Sequence, residues 1–228
     1  MSIVFEERLS DSPFVETITH GYTVSDGSTI RPSEIHWHMV FVKECGQVHT
    51  LVVGPLKTSG IASWKEGAEI LWIKFKLGTF MPGLPTKHCL DTEIALPKTS
   101  SRSFWLHGGS WQLPDFENVE TFVKRLVQQE VLVHDPVVKE VLQGRPHDWS
   151  ARTVRHRFLQ ATGLSQTHIV QFERAQQALT LLRQGVPILD TVYELGYYDQ
   201  PHLTRSLQRF IGTTPGQENG RIPQPQSA

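Results

Sequence analysis

The sequence predicts an α+β chain in which a strand-rich first third, folded as a small β-barrel, precedes an all-helical C-terminal part with two helix-turn-helix units. Three observations carry that expectation. Runs rich in β-branched and aromatic residues lie between positions 14 and 75, the hydrophobic period turns helical from Asp115 onward, and one capped helical pattern occurs twice, 49 residues apart.

The totals suit a folded, water-soluble chain. It has 228 residues, 39% hydrophobic and 20% charged, enough for one large or two small domains. No run of 18 apolar residues occurs, and Glu6, Glu7, Arg8 and Asp11 crowd the start, so neither a signal peptide nor a membrane span is expected and the chain reads as cytoplasmic. Cys45 and Cys89 are too few for a disulfide framework or a four-cysteine metal site. The net charge of −1 argues against indiscriminate nucleic-acid binding. It conceals a split: residues 136–228 hold ten Lys and Arg against seven Asp and Glu, and residues 1–135 hold twelve against sixteen.

Strands are expected at 14–18, 36–42, 48–53 and 70–75, separated by Gly, Pro, Ser or Asp clusters. From Leu77 to Pro114 the signals weaken, with 103–106 a last strand or a short helix. Phe116, Val119, Phe122, Val123, Leu126 and Val127 then follow helical spacing behind Asp115 as N-cap, which predicts a connecting helix. Asp135-Pro136 and Gly144 bracket a short helix that Pro146 breaks off. Ser150 and Gly163 bound the next, with Arg152, Arg155 and His156 directed outward and Val154, Phe158 and Ala161 inward. A long helix runs from about Gln166 to Gln184, and a shorter one follows Pro187 up to Gly196.

Asp199–Gly212 closes the pattern. Asp199 caps it, Leu203, Leu207 and Phe210 form one apolar stripe, and His202, Thr204, Arg205, Gln208 and Arg209 lie off that stripe. An offset of 49 places Ser150 on Asp199, Val154 on Leu203, His156 on Arg205, Phe158 on Leu207 and Gly163 on Gly212. The helix between the two copies spans about 28 Å at about 1.5 Å per residue, close to the roughly 34 Å between successive major-groove faces of B-DNA. Two readers on adjacent segments of double-stranded DNA are therefore expected. The copies are unequal, because Gly144 and Pro146 fall where Tyr193 and Leu195 lie in the second.

Residues Gly163-Leu164-Ser165, Arg174-Ala175 through Leu181-Leu182, Gly196-Tyr197-Tyr198-Asp199-Gln200, His202 to Leu207 and Gly212-Thr213-Thr214-Pro215 resemble the AraC/XylS family of bacterial transcription regulators. The resemblance covers roughly residues 135–216. It implies two helix-turn-helix units that bind promoter DNA through Arg152, Arg155 and His156 in the first recognition helix and His202, Thr204, Arg205 and Arg209 in the second. It also implies a cupin-like N-terminal domain that binds a small-molecule effector or forms a homodimer, and contact with RNA polymerase if the protein is an activator. The chain then divides into a cupin-like sensor or dimerisation domain (1–112), a connecting helix (113–134), the DNA-binding domain (135–216) and a disordered tail (217–228).

Within the β part, His36, His38, Trp64 and Trp72 are candidate effector-pocket residues. His36-Trp37-His38 with Glu44 and Gly46 is similar to the His-x-His…Glu…Gly pattern of metal-dependent cupins, so a cupin enzyme fused to a DNA-targeting module is the alternative. Glu44 sits one residue too far from His38 for that pattern and no second-motif histidine follows. The expectation is accordingly no metal, no cofactor and no catalytic residue.

Overall fold

The alternation of polar and apolar residues on the central strands produces one sheet with two unlike faces. The computed structural model describes residues 2–145 and 148–219. In chain order its strands are β1 (Ile3–Leu9), β2 (Val15–Thr23), β3 (Gly27–Arg31), β4 (His38–Glu44), β5 (Gln47–Val53), β6 (Gly60–Trp64), β7 (Glu69–Phe75), β8 (Thr79–Phe80), β9 (Glu93–Leu96), β10 (Lys98–Ser100), β11 (Ser103–Leu106), β12 (Gly109–Gln112) and β13 (Val133–His134). Six of them form an antiparallel sheet in the order β1-β2-β7-β4-β5-β9.

One face of this sheet carries Ile18, Met39, Phe41, Leu71, Ile73 and Phe75 into a core closed by Phe104 of β11, Trp111 of β12 and the helix α1 (Val119–Gln128). Trp37 stacks on Phe75 with ring centroids 4.0 Å apart, and its indole N–H donates to the Thr79 carbonyl at 2.6 Å. The other face presents Thr17, Thr19, His38, Trp72 and Lys74 to a cleft.

The expected barrel does not close. β1 and β9 are the two edges of the sheet, and β3 and β6 pair only with each other. A separate meander β10-β11-β12 and α1 cover the apolar face, so the sheet has no need to curl onto itself to bury it. The connecting helix also differs from expectation. It starts at Val119, because the Asp115 carboxylate is spent on the amides of Glu117 and Asn118 at 3.1 and 3.0 Å in a turn before the helix. Val119, Phe122, Val123 and Leu126 then bury it in the core of the sheet, where it is a structural layer of the β-rich region.

The helical part holds α2 (Val137–Leu142), α3 (Ala151–Thr162), α4 (Gln166–Arg183), α5 (Ile188–Glu194), α6 (Gln200–Phe210) and α7 (Pro215–Glu218). Its core gathers Phe158, Ile169, Phe172, Leu182, Leu203, Leu207 and Phe210 together with Ile35 and Phe80 from the β-rich part. The helices are thus packed onto the strands. Two further expectations change here. Gln217 and Glu218 of the supposed tail belong to α7, where the buried Glu218 carboxylate accepts from Arg183 Nε at 2.8 Å. Residues 220–228 of that tail, and the breaker Pro146, lie outside the described residues.

Candidate nucleic-acid interface and the adjoining cleft

The best-formed part of the candidate interface is α6. The Asp199 carboxylate accepts the His202 amide at 2.7 Å, satisfying one of the orphan donors of the first turn, and Pro201 sits where no intrahelical donor is needed. Leu203, Leu207 and Phe210 are buried, which turns Arg205, Gln208 and Arg209 outward. His202 and Thr204 are only half exposed. His202 Nδ1 accepts the Tyr198 amide at 3.3 Å and its ring meets Tyr197 edge-on at 5.2 Å, while Thr204 Oγ1 donates to the Gln200 carbonyl at 3.0 Å. Both side chains therefore shape the turn and the first helical turn as well as facing outward. Arg209 lays its guanidinium 5.0 Å from the Phe210 ring centroid. Tyr198, not among the expected DNA contacts, is 91% exposed beside the N-terminus of α6.

The expected first reader, α3, repeats the caps. Ser150 Oγ accepts the Thr153 amide at 3.2 Å, and Gly163 ends the helix at φ 71°. Arg152, Arg155 and His156 are exposed. Arg157, a phosphate candidate by residue type, is committed elsewhere: its guanidinium makes two bonds to the Asp135 carboxylate at 2.9 and 2.7 Å and lies 4.3 Å from the Trp149 ring centroid. The short α2 leaves a groove of about 630 Å³ lined by Val141, Val154, Arg155, Phe158 and Leu159.

Between them runs α4, 18 residues long, or about 27 Å at the usual helical rise. Its buried line Ile169, Phe172, Ala175, Leu179 and Leu182 serves the helical core. Arg174 stacks 4.4 Å from the Tyr197 ring centroid, which ties α4 to the turn between α5 and α6.

On the sheet side, a cleft of about 760 Å³ opens between β2, β4 and β7 and the α4 residues Phe172 and Gln176. His36, His38 and Trp72 line it as the sequence suggested. Trp64 does not: Ala62 of β6 reaches the cleft, and Trp64 lies two positions further along that strand, opposite Gly27 of β3. A side-chain carbon at Gly27 would come 2.7 Å from the Trp64 ring, so that glycine is required for the close approach.

Glu16, Glu34 and Lys74 complete the cleft's charged cluster. His36 Nε2 lies 2.9 Å from Glu16 and its Nδ1 2.7 Å from Glu34, while Lys74 is 3.4 Å from Glu34. Burial alone would lower the His36 pKa, but the hydrogen bonds to the two carboxylates outweigh it and raise it above its ordinary value. Burial likewise opposes ionisation of Glu34, and His36 with its neighbours overcomes it, keeping the carboxylate ionised well below its ordinary range. His38, buried beside those same positive charges, drops to a pKa of about 4 and is neutral at pH 7. With both ring nitrogens of His36 on carboxylates, the His36–His38 pair is not disposed as two metal ligands. Glu44 sits at the opposite end of β4, about 20 Å along the strand from His38 at the usual rise. Among the described residues no group of three or more His, Cys, Asp or Glu is arranged to hold a metal ion. No helix of the described residues is long and apolar enough to cross a membrane.

Residues 148–220 match a family model described as a helix-turn-helix domain, a segment that begins just before α3 and runs past α7. No curated protein and no solved structure matches the chain significantly.

Proposed function

We propose, from the premise that residues 148–220 are a DNA-binding helix-turn-helix domain of the AraC type, that this transcription regulator reads two adjacent major-groove segments with the exposed faces of α3 and α6. The observation that carries this reading is the pairing itself: two helices each with a side-chain N-cap, Ser150 or Asp199, and a left-handed glycine after the last turn, joined by one long helix. Arg205 and Arg209 on α6 and Arg152 and Arg155 on α3 supply guanidinium groups, whose planar forks match guanine edges and phosphates. His156 adds to the α3 face, and His202 and Thr204 combine local bonds with contact near the start of α6. In this reading the cleft at His36, His38 and Trp72 takes a small-molecule effector, since it combines an aromatic wall with convergent polar groups.

The direct test is binding of the full chain to duplex DNA carrying a site selected from a random library. Arg205→Ala is expected to cost about 1–3 kcal/mol of specific affinity and to relax the preference at one base pair. Arg152→Ala is expected to weaken binding less selectively across sequences, as a phosphate contact does. Unchanged affinity and sequence preference in Arg205→Ala would remove α6 from the reading surface.

A further inference from the structure

The C-terminal ends of α3 and α6 are both held by the β-rich region, and by two segments that are themselves stitched together. An α-helix leaves its last four carbonyls without intrahelical donors. At α6 three of these are answered from outside the helical part: the Gln208 carbonyl accepts from Ser59 Oγ at 2.8 Å, the Arg209 carbonyl from the Ser59 amide at 2.7 Å, and the Phe210 carbonyl from the Ser33 amide at 2.7 Å. At α3 the Ala161 carbonyl accepts from the buried Thr86 Oγ1 at 3.1 Å. The approach is tight at both ends. A side-chain carbon at Gly163 would lie 3.1 Å from the Thr86 carbonyl oxygen, and one at Gly212 would lie 2.5 Å from Ile30 Cγ2.

Ser59 and Thr86 are far apart in sequence but belong to neighbouring turns. The Asp91 amide donates to the Pro55 carbonyl at 2.8 Å, the Asp91 carboxylate accepts the Lys57 amide at 2.7 Å, and Lys57 Nζ lies 3.3 Å from the same carboxylate. Gly54 packs so closely on Cys89 that an added side-chain carbon would fall 1.7 Å from the Cys89 carbonyl oxygen. A short strap, 54–59 bound to 86–92, therefore runs from the end of α3 to the end of α6, beside the covalent route through α4. α3 needs it more, because its main neighbours are α2, β8 and the turn at Thr86, whereas α6 packs on α4, α5 and α7.

We propose that Thr86, Asp91 and Ser59 are positioning residues that set the placement of α3 relative to α6, and so determine which spacing of two half-sites the chain accepts. The proposal rests on the two-reader function above. Asp91 is the informative member, since its hydrogen bonds join the two turns and reach neither helix.

The experiment begins with the duplex site selected by the wild-type chain from a random library. Affinity is then measured for that site and for versions with one, two and five base pairs inserted between half-sites. Wild-type affinity is expected to fall about 100-fold at the half-turn insertion, as avidity is lost when geometry forbids simultaneous engagement. Thr86→Val and Asp91→Ala are expected to cut that penalty to about tenfold while leaving binding to a single half-site unchanged, and Thr86→Ser is expected to restore the wild-type profile. Asp91→Gly, which also removes the carboxylate and suits that residue's positive φ of 57°, serves if Asp91→Ala does not fold. A variant profile identical to wild type, or one lowered by the same factor at every spacing, overturns the positioning role. So does affinity that rises at all spacings, which would make the strap an inhibitory contact. A wild-type chain that selects only one half-site sinks the two-reader function itself and is told apart from these outcomes before any variant is made.

Discussion

The two helix pairs, α2–α3 and α5–α6, repeat one capped pattern but are supported by different forces. In the second pair α6 drives Leu203, Leu207 and Phe210 into a core shared with α4, and Tyr197 locks the turn by bonding Ser206 at 3.2 Å under the Arg174 guanidinium. In the first, α2 is six residues long and leaves a groove over Val154 and Phe158. Polar staples take over there: the Asp135–Arg157 ion pair ties the start of α2 to α3, and Thr86 holds its end. A helix's caps can be copied without its support, and the support decides how rigidly the copied face is presented.

The largest expected contrast is in the cores. Leu203→Ala, at a fully buried position, should cost about 3 kcal/mol of unfolding free energy, within the range for buried leucine truncation. The 49-residue counterpart of Leu203, Val154, is half-buried beside the groove, and Val154→Ala should cost under about 1 kcal/mol. Equal losses in urea titrations would mean that the first pair is as tightly packed as the second. A second contrast lies in the staples. Asp135→Ala removes both bonds from Arg157, itself 31% exposed and still able to meet water and Trp149, so about 2 kcal/mol is expected, with increased amide exchange in α3. Loss below about 0.3 kcal/mol would show the ion pair to be an ordinary surface contact. The smallest difference should be at the caps. Ser150→Ala and Asp199→Ala each remove one side-chain bond to an orphan amide and should each cost about 1 kcal/mol. A cap that matters in only one helix would undo the claim that the repeat survives at that level.

The caps of α3 and α6 were legible because each acts within three or four positions of its own helix: Ser150 on the Thr153 amide, Asp199 on the His202 amide, Gly163 and Gly212 on the final turns. Outward Arg152, Arg155 and Arg205 followed from the same periodicity. The barrel was misjudged for a non-local reason, since strand-forming runs do not say whether the edges β1 and β9 meet or whether another layer covers the apolar face. The cleft was half legible. His36 and His38 stand out in sequence, but Glu16 reaches His36 from β2, Lys74 reaches Glu16 from β7, and Trp64 lies beyond the cleft, opposite Gly27 of β3. Arg157 has the same residue type as Arg152 and Arg155, and what sets it apart is Asp135, 22 positions away, which holds it.

By itself the sequence determined helices α2 to α6, the caps of α3 and α6, their exposed basic faces and the repeat, because those depend on 3.6-residue periodicity and on hydrogen bonds spanning one turn. Only the tertiary structure decided that the sheet stays open, that α1 belongs to it, and that Ser33, Ser59 and Thr86 close the ends of α6 and α3. Those contacts join residues from about 75 to nearly 180 positions apart. What brings them together is the burial of two cores that share a boundary, and no local pattern in the chain records it.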